Sequence, residues 1–312
     1  MRHVLPLILL ASPALAITAE EIDSASYGGG ALPDGQSALA AKAQILLDRA
    51  GISPGVVDGY KGGMSESAIR AFEAREGFEV DGVLDEEVWA ALGGPGASGL
   101  TMSYEITEED AQTTSEIPDD YAERAEMDRL GYLRVSEAVA ERFHMDEDFL
   151  KQLNPDAAFE AGESVMVVDP GPRAEGEVTR IVVDKASRRL LAYAGEEVLT
   201  NYPVGIGSEQ TPSPSGTVEI NAVATEPTYT YRPDENFQQG DNDEVLELPP
   251  GANGPVGLVW IDLSKPTYGI HGTPEPAKLF EQFSHGCVRM SNWDAEELAF
   301  LVSAGVPVEF KE

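Results

Sequence analysis

The sequence predicts a multidomain chain with a small all-α domain of three helices, a short α/β spacer and a mainly-β domain. Three observations support this order. Apolar residues recur at helical spacing between residues 37 and 93, and two further short helices followed by a strand are indicated between 121 and 172. From residue 178 the pattern changes to short runs of β-branched residues separated by turns. A chain of 312 residues is long enough to build two or three cores of this size.

Residues 1–16 have the pattern of a secretory signal peptide. Arg2 precedes an apolar run from Val4 to Leu15, and the stretch ends in Ala14-Leu15-Ala16, the small-x-small pattern that signal peptidase cleaves. We therefore expect an exported protein of the periplasm or cell wall whose mature chain starts at Ile17. A retained anchor helix is the alternative. The run is shorter than the roughly 18 apolar residues that a bilayer span needs, so no stable membrane insertion is expected.

The charge and the cysteine content narrow the possible functions. A formal net charge of −34 creates a field that repels nucleic acid and anionic membrane surfaces, which excludes nucleic acid as a partner. Exported proteins that use cysteine structurally carry even numbers of it, because their compartment oxidises thiols into pairs. This chain has one cysteine, Cys287, which is therefore either a buried apolar residue or a functional thiol.

The first domain is predicted over residues 37–93. Residues 17–36 before it are rich in Gly, Ser and Ala and lack periodicity, so they are expected to form a flexible leader. Helices are predicted over Leu39–Ala50, Ser65–Gly77 and Asp85–Gly93, each with apolar residues on one face and a glycine at or just after its end.

An internal repeat marks the turns of this domain. Val57-Asp58-Gly59 precedes the second helix and Val80-Asp81-Gly82 precedes the third. Asp-Gly pairs make turns because glycine accepts a positive φ. With the closing Trp89 and Leu92, this pattern resembles the small three-helix peptidoglycan-binding domain. The resemblance implies binding to wall glycan, and a packing module without a ligand is the alternative.

A linker and a second small module are predicted next. Residues 94–120 contain a Gly-Pro-Gly turn and an acidic stretch, as linkers do. Residues 121–172 follow with two short helices, Val135–Met145 and Asp146–Leu153, and a strand, Val165–Val168. This segment resembles part of a LysM module, although the opening strand of that module is not evident in the sequence. A structural spacer is therefore favoured over a second glycan-binding module.

Residues 177–312 are predicted to form the mainly-β domain. Their apolar runs are rich in β-branched residues, which fit a pleated, half-buried surface. Strands are expected at Val178–Asp184, Arg189–Ala194, Val198–Val204, Thr217–Ala222, Val256–Leu263 and Val306–Phe310. A late helix is indicated by a capping box, Ser291 with Asp294 three residues later.

Two histidines lie near the cysteine. The stretch Tyr268-Gly269-Ile270-His271-Gly272-Thr273 is followed by Ser284-His285-Gly286-Cys287-Val288-Arg289-Met290. A thiol of ordinary pKa is only a few per cent ionised near neutral pH, so a nucleophilic cysteine needs a neighbouring base or cation. Catalysis by a thiol that a histidine activates is the interpretation we favour. A buried structural cysteine and a zinc site made by His271, His285 and Cys287 are the alternatives.

The region around these residues resembles the YkuD family of L,D-transpeptidases. The signature of that family is a histidine followed, after a short spacer, by S/T-H-G-C and often an arginine. Here Cys287 follows His271 by sixteen residues, and the sequence around it is SHGCVRM. The likeness covers residues 178–310 and includes TPSPSG at 211–216 and PPGANGPVG at 249–257.

The resemblance implies roles for individual residues. Cys287 is expected to be the nucleophile and His271 the general base. The amides of Gly286 and Cys287 are expected to form an oxyanion hole, because a glycine lets hydrogen-bond donors approach the developing charge. The supporting positions implied in the same way are Gly272, whose carbonyl orients the imidazole, Ser284, His285 and Arg289. For Arg289 a structural ion pair is an equally good interpretation. No cofactor and no metal is implied.

The implied activity is acyl transfer in two steps on peptidoglycan stem peptides. The thiol attacks a tetrapeptide stem at the carbonyl of its third residue, expels the terminal D-alanine and passes the acyl group to an amine. The acceptor is a second stem, giving a 3-3 cross-link, or an amine of a wall-anchored protein, in cell wall biogenesis and the maintenance of cell shape. Two alternatives stay open: transfer of the acyl group to water, as in a carboxypeptidase or a hydrolase of wall-anchored proteins, and a non-catalytic wall-binding scaffold.

Two segments are expected to border this site. Leu279–Phe283 carries two aromatic residues and an acid between His271 and Ser284, and we expect it to form part of the rim. Residues 225–248 are acidic and rich in Tyr, Asn and Gln, and they are expected to form a covering loop.

Overall fold

The structure is a computed structural model that describes residues 17–234 and 238–312. The signal peptide predicted over residues 1–16 lies outside that part of the chain. Within the described residues, no helix combines the length and the apolar character that crossing a bilayer requires.

Two hydrophobic cores divide the chain. Residues 17–172, which we call the helical unit, contain the first core, and residues 177–312, the β-domain, contain the second. Most helices lie in the helical unit and most strands in the β-domain. The prediction of a multidomain chain with a mainly-β C-terminal part is therefore confirmed. Within the helical unit, however, the three-helix domain and the spacer share one core.

The first half of the helical unit contains the three predicted helices and one more. They are α1 (Ala19–Ser24), α2 (Ala38–Arg49), α3 (Gly63–Glu76) and α4 (Glu86–Ala91), followed by a 3-10 turn at Gly94–Gly96. Ser37 and Asp85 cap α2 and α4 by accepting hydrogen bonds from the amides of Ala40 and Val88. Gly77 ends α3 with a φ of 78°, a left-handed conformation that glycine adopts without strain.

The N-terminal leader contains α1, so the prediction of a flexible segment over residues 17–36 is wrong. Ile22 is fully buried in the core of the helical unit. The Asp23 carboxylate accepts hydrogen bonds from Leu100 N–H at 2.7 Å and from Thr101 Oγ1 at 2.8 Å. A helix of 6 residues with one buried apolar side chain has no periodicity to detect, and only its tertiary contacts hold it.

The second half of the helical unit is built around a two-stranded sheet. Its elements are β1 (Thr101–Glu105), α5 (Glu108–Gln112), α6 (Tyr121–Ala125), α7 (Val135–Arg142), α8 (Glu147–Leu153) and β2 (Ser164–Val168). β1 pairs antiparallel with β2. The linker predicted over residues 94–120 is wrong there, because β1 and α5 lie inside it and Leu100 and Ile106 are buried. β1 also supplies the opening strand that the LysM-like segment lacked in the sequence, and that resemblance stays a prediction.

The described part of the β-domain has ten strands, eight of which form one sheet. The strands are, in chain order, β3 (Arg180–Asp184), β4 (Arg189–Ala194), β5 (Glu197–Pro203), β6 (Gly216–Thr225), β7 (Tyr229–Tyr231), β8 (Leu246–Leu248), β9 (Val259–Leu263), β10 (Gly269–Thr273), β11 (Val288–Ser291) and β12 (Pro307–Lys311). β7 and β8 pair as a separate hairpin, and the others form one sheet in the order β11-β10-β9-β6-β12-β3-β4-β5. β10 is parallel to β11 and β12 is parallel to β3. A short 3-10 turn at Pro276–Lys278 follows β10.

One helix of the β-domain, α9 (Asn292–Leu301), packs on β9, β10 and β11. Ser291 caps it by accepting a hydrogen bond from Asp294 N–H at 3.1 Å. The Asp294 carboxylate does not close the predicted capping box. It accepts a hydrogen bond from Ser53 Oγ of the helical unit at 3.0 Å instead, so a tertiary contact replaces a local one.

The helical unit and the β-domain meet through buried polar contacts. Ser53 N–H donates to the Asn201 carbonyl and Asn201 N–H donates to the Gly51 carbonyl, both at 2.9 Å, which extends the sheet beyond β5. Arg189 is buried between the two parts and donates to the Ser53 carbonyl at 3.0 Å and to Asn201 Oδ1 at 2.7 Å. Buried groups of this kind are costly to leave unpaired, so these bonds fix how the two parts sit against each other.

Candidate active site

Strands β10 and β11 bring His271 and Cys287 to one face of the sheet. The strands are parallel neighbours at its edge, and His271 lies opposite Arg289. Cys287 immediately precedes β11, two residues before Arg289. Side chains alternate along a strand, and Ile270 and Val288 are buried in the core. Cys287, Arg289 and His271 therefore share the face opposite that core.

The His271 ring is held in one tautomer. Its side chain is 6% exposed, and its Nδ1 lies 2.7 Å from the Gly272 carbonyl oxygen. A carbonyl oxygen only accepts hydrogen bonds, so Nδ1 carries the hydrogen and Nε2 keeps its lone pair while the ring is neutral. The indole of Trp260 on β9 stacks on the imidazole, with ring centroids 5.6 Å apart and planes inclined by 21°.

The surroundings of His271 favour its neutral form. Burial is the main cause that lowers the pKa of His271 to about 4, and the positive charge of Arg289 acts in the same direction. The hydrogen bond to the Gly272 carbonyl opposes both effects. Near neutral pH the imidazole is therefore an unprotonated base with a lone pair on Nε2.

The thiol of Cys287 is half-buried beside β10. Its Sγ lies 3.8 Å from the Thr267 carbonyl oxygen. Burial raises the pKa of the thiol above its ordinary value, and a hydrogen bond with the Gly269 backbone acts against that rise. A neutral thiol and a neutral imidazole thus share the site, so the proton has to leave sulfur during a reaction and not before it.

A tight turn presents the thiol. Ser284 Oγ donates to the Cys287 carbonyl oxygen at 2.5 Å and accepts from the Gly286 amide at 3.0 Å. Gly286 has a φ of 118°, and a methyl group on it would lie 2.7 Å from Tyr268 Cε1, so the turn requires glycine. Because Ser284 already engages the Gly286 amide, the Cys287 amide is the remaining candidate of the two predicted oxyanion donors.

The other two predicted supporting residues have different environments. The His285 side chain is exposed. Arg289 Nη2 donates to the Gln282 carbonyl oxygen at 2.6 Å, and Nη1 lies 3.5 Å from Gln282 Oε1. Over residues 17–234 and 238–312 the Arg289 guanidinium forms no ion pair. Its contacts favour a role in holding the rim over the ion-pair interpretation.

The predicted rim segment, Leu279–Phe283, is held by two arginines. The guanidinium carbon of Arg188 lies 4.9 Å from the ring centroid of Phe283 and 5.8 Å from that of Phe280. Arg188 Nη1 also donates to the Phe280 carbonyl at 2.5 Å. With Arg289 bonded to Gln282 between these aromatics, the rim is fixed on both sides while Phe283 stays 55% exposed.

The β7–β8 hairpin lies within the segment predicted to cover the site. Burial is the main cause that raises the pKa of Tyr229 on β7. A cavity of about 650 Å³ opens here, lined by the β6–β7 connection, Trp260 and Thr267. Tyr229 also lines this cavity, and the Thr267 carbonyl oxygen on its wall lies 3.8 Å from Sγ.

The sequence of this chain is similar to those of known proteins. Residues 178–310 match the family of L,D-transpeptidase catalytic domains, and residues 36–92 match a family described as a peptidoglycan binding domain. A Bacillus licheniformis protein named L,D-transpeptidase YkuD is 31% identical over 176 residues, which cover 55% of this chain and 90% of the relative. Its Bacillus subtilis namesake is 32% identical over 174 residues, with the same coverage of both chains. The chain belongs to the YkuD family of L,D-transpeptidases.

Another relative is similar to this L,D-transpeptidase over a shorter segment. An Escherichia coli protein named L,D-transpeptidase YbiS is 31% identical over 134 residues, which cover 42% of this chain and 44% of that protein. The likeness to this relative therefore concerns less than half of either chain.

Three residues of the L,D-transpeptidase site were missed from the sequence. Trp260 stacks on the imidazole, the Thr267 carbonyl lies beside the thiol, and Tyr229 lines the same cavity as both, only because three separate strands or turns meet. Only Trp260 had a signal in the sequence: it is an aromatic residue on the non-core face of the predicted strand Val256–Leu263. No group of three His, Cys, Asp or Glu side chains in the described part of the chain could hold a metal ion, so the zinc interpretation finds no ligand cluster there.

Proposed function

We propose that this L,D-transpeptidase transfers acyl groups on peptidoglycan stem peptides through a thioester on Cys287. The observation that carries the proposal is a half-buried thiol on the same sheet face as a neutral imidazole whose tautomer is fixed. Such an imidazole can take the proton of a thiol on Nε2 and return it to a leaving amine. The match of residues 36–92 to a peptidoglycan binding domain supports the wall as the substrate.

In the first half-reaction the thiol of Cys287 is acylated. Sγ of Cys287 forms a bond to the carbonyl carbon of the third stem residue while its proton moves to Nε2 of His271. The C–N bond to the terminal D-alanine then breaks, and the proton on Nε2 moves to the leaving nitrogen. Burial and the charge of Arg289 both disfavour the imidazolium, so His271 holds this proton only briefly before the amine takes it.

In the second half-reaction an amine takes the acyl group. Its nitrogen attacks the thioester carbon, its proton moves to Nε2 of His271, and the C–S bond breaks. The sulfur recovers the proton, which restores the resting thiol. The acceptor amine belongs to a second stem, giving a 3-3 cross-link, or to a wall-anchored protein.

The remaining site residues support these steps. The Cys287 amide is the donor we assign to the oxyanion, with the Gly286–Ser284 bond holding the turn in place. The Gly272 carbonyl keeps the imidazole in the tautomer that leaves Nε2 free. Arg289 holds the rim through Gln282, and the His285 side chain is exposed on the turn itself. The reaction places the enzyme outside the cytoplasm, in the periplasm or wall, in keeping with the signal peptide predicted over residues 1–16.

Whole-protein mass spectrometry after a brief carbapenem treatment tests the nucleophile. This β-lactam class carries an activated carbonyl, which the YkuD resemblance implies will acylate the thiol. We expect one adduct on the wild type and none on Cys287→Ser, whose hydroxyl is a much weaker nucleophile beside the same base. An adduct that persists in Cys287→Ser would overturn the assignment of the nucleophile.

Muropeptide analysis then tests the acceptor. Incubation of the purified enzyme with tetrapeptide-containing muropeptides should release D-alanine and produce dimers joined between third residues. Trimmed tripeptides without new dimers would show that water takes the acyl group. Unchanged muropeptides, with Cys287→Ala matching the wild type in every assay, would favour the non-catalytic scaffold.

A further inference from the structure

One buried side chain connects the helical unit to the backbone beside His271. Asn292 is the first residue of α9 and is 1% exposed. Its Oδ1 accepts a hydrogen bond from Leu258 N–H at 3.1 Å. Its Nδ2 donates to Glu141 Oε2 at 2.9 Å and to the Ala252 carbonyl at 3.2 Å. Both N–H groups and the oxygen of this amide are hydrogen-bonded, to α7 and to the loop that leads into β9, so the amide has one orientation.

The Asn292 amide presses against Gly272, the residue whose carbonyl binds His271. A methyl group on Gly272 would lie 2.2 Å from Asn292 Oδ1, and one on Gly257 would lie 2.1 Å from the same atom. Contacts this close leave no space for a Cβ at either position. The two glycines therefore let the amide pack directly on the backbone that carries the His271 acceptor.

Glu141 belongs to α7 of the helical unit and is buried where it meets Asn292. The same unit also holds the loop that leads into β9. Asn253 of that loop donates from Nδ2 to the Gly131 carbonyl at 3.0 Å and to Glu137 Oε1 at 2.8 Å. The helical unit thus contacts the β-domain at two nearby points, and of these two side-chain contacts only Glu141 bonds directly to the Asn292 amide that packs on Gly272.

We propose that Asn292 is a positioning residue for His271, acting through Gly272, and that Glu141 of the helical unit holds Asn292 in place. The helical unit is then a part of the machinery for acyl transfer and more than a spacer or wall-binding module. This inference rests on the proposed function for the reaction that His271 serves.

The physical consequence concerns the imidazole. If the Asn292 amide is removed, the Gly272 peptide gains freedom, its bond to Nδ1 weakens, and water can approach the ring. Burial is the main cause of the low pKa of His271, so loosened packing raises that pKa towards the ordinary value of a histidine. Arg289 is the charged group that acts on the ring, and it stays in place in these variants.

The test uses the full-length protein with two measurements. The first is the NMR titration of the His271 ring without substrate, and the second is the rate of Cys287 acylation by a carbapenem. For Asn292→Ala we expect a His271 titration midpoint raised towards the ordinary value and an acylation rate lower by about tenfold to a hundredfold, the loss typical of a misplaced catalytic group. Glu141→Ala should act in the same direction with a smaller effect. Glu141→Gln retains a side-chain oxygen that can accept from Asn292, so it should recover most of the lost rate.

Asn253→Ala is the matched control, because it removes two hydrogen bonds between the same two parts of the molecule without touching Gly272. It should lower the melting temperature but leave the His271 midpoint where it is. An unmoved midpoint in both Asn292→Ala and Glu141→Ala would overturn the proposal, and so would an equal shift in Asn253→Ala. Should Asn292→Ala fail to fold, Glu141→Ala decides the question alone. Failure of the wild type to form any carbapenem adduct would count against the proposed function, and the substrate-free titration would still judge the positioning role.

Discussion

Two histidines in different regions of this molecule each stack on a tryptophan, but their pKa values are shifted in opposite directions. His271 stacks on Trp260 in the candidate active site, with centroids 5.6 Å apart, and its pKa is lowered to about 4. His144 stacks on Trp293 where the helical unit meets the β-domain, with centroids 5.3 Å apart. There burial opposes protonation, but the charges of nearby carboxylates, with Asp48 foremost, outweigh it and raise the pKa of His144.

The difference shows that burial acts on both histidines in the same direction and that the charges beside each ring decide whether its effect is reinforced or reversed. Burial and the cation of Arg289 keep His271 neutral against the opposing effect of the Gly272 carbonyl at 2.7 Å, so the ring can accept a proton. His144 has the Asp48 carboxylate 2.7 Å from Nδ1, so its protonated form is stabilised as part of a contact between two regions. The environment of His271 suits proton transfer, and that of His144 suits an ion pair that holds two parts of the protein together.

Replacing each histidine by glutamine gives the largest expected difference between the two regions. His271→Gln removes the proton acceptor, and the rate of carbapenem acylation should fall by about a hundredfold to ten-thousandfold, the usual contribution of a general base. His144→Gln should lower the melting temperature and keep the acylation rate within about twofold. Stopped-flow acylation and thermal melts of both variants make the comparison. Similar rate losses in the two variants would contradict the assigned roles.

The next largest effect is expected at Arg189, which is buried where the two parts meet. Arg189→Met leaves the Ser53 carbonyl and Asn201 Oδ1 without their donor and should lower the free energy of unfolding by about 3 kcal/mol. Urea denaturation measures this loss. Arg180→Met is the matched control, because Arg180 is only half-buried and stacks on Tyr193; its effect should stay below about 1 kcal/mol. Equal losses would mean that these buried bonds add nothing.

The pH dependence of stability should reflect the carboxylates where the two parts meet. Burial is the main cause that raises the pKa of Asp294 to about 7 and that of Glu141 to about 8. Both groups bind protons more tightly in the folded state, and so does His144, so stability is greatest below the unfolded values and falls as pH rises through the folded ones. Between pH 6 and 8 we expect a loss of about 4 kcal/mol, because Asp294 contributes roughly one pKa unit and Glu141 roughly two, each worth about 1.4 kcal/mol.

Urea denaturation at several pH values, with variants, tests this dependence. The groups that face Asp294 include Asp48, His144 and Ser53, so Asp294→Asn removes one titrating member and should flatten the slope. The contribution of His271 to the pH dependence of stability has the opposite sign. Because its pKa is lowered on folding, it makes stability rise with pH between about 4 and the unfolded value of 6.5. His271→Gln should therefore leave the slope above pH 6.5 as in the wild type. A flat wild-type profile would remove the distinction between the two regions.

The smallest expected effect comes from the two stacked indoles. Trp260→Leu keeps an apolar contact but removes an aromatic pair worth about 0.5–1.5 kcal/mol, so acylation should slow by roughly twofold to tenfold. Trp293→Leu removes the equivalent partner of His144 and should reduce the melting temperature while the rate stays within about twofold. If Trp293→Leu slowed acylation as much as Trp260→Leu, the stack on His271 would have no special part in orienting the base.

Sequence reasoning succeeded where the signal was local or periodic. All six strands predicted for the β-domain are present with shifted ends, and the helices expected at Leu39–Ala50 and Ser65–Gly77 are present as well. It failed where an element depends on distant partners. The helix α1 in the expected leader and the strand β1 in the expected linker are short, and contacts such as that of Asp23 with Leu100 hold them. No local pattern distinguishes such segments from loops.

The sequence alone determined which residues are candidates for the chemistry, because the turn from Ser284 to Cys287 and the spacing back to His271 are properties of neighbouring residues. Only the tertiary structure decided the protonation state of His271, the stacking of Trp260 and the link through Asn292 to Glu141, which lies 151 residues away in the chain. Burial and charge are sums over everything packed around a group, and folding brings those neighbours from distant parts of the chain.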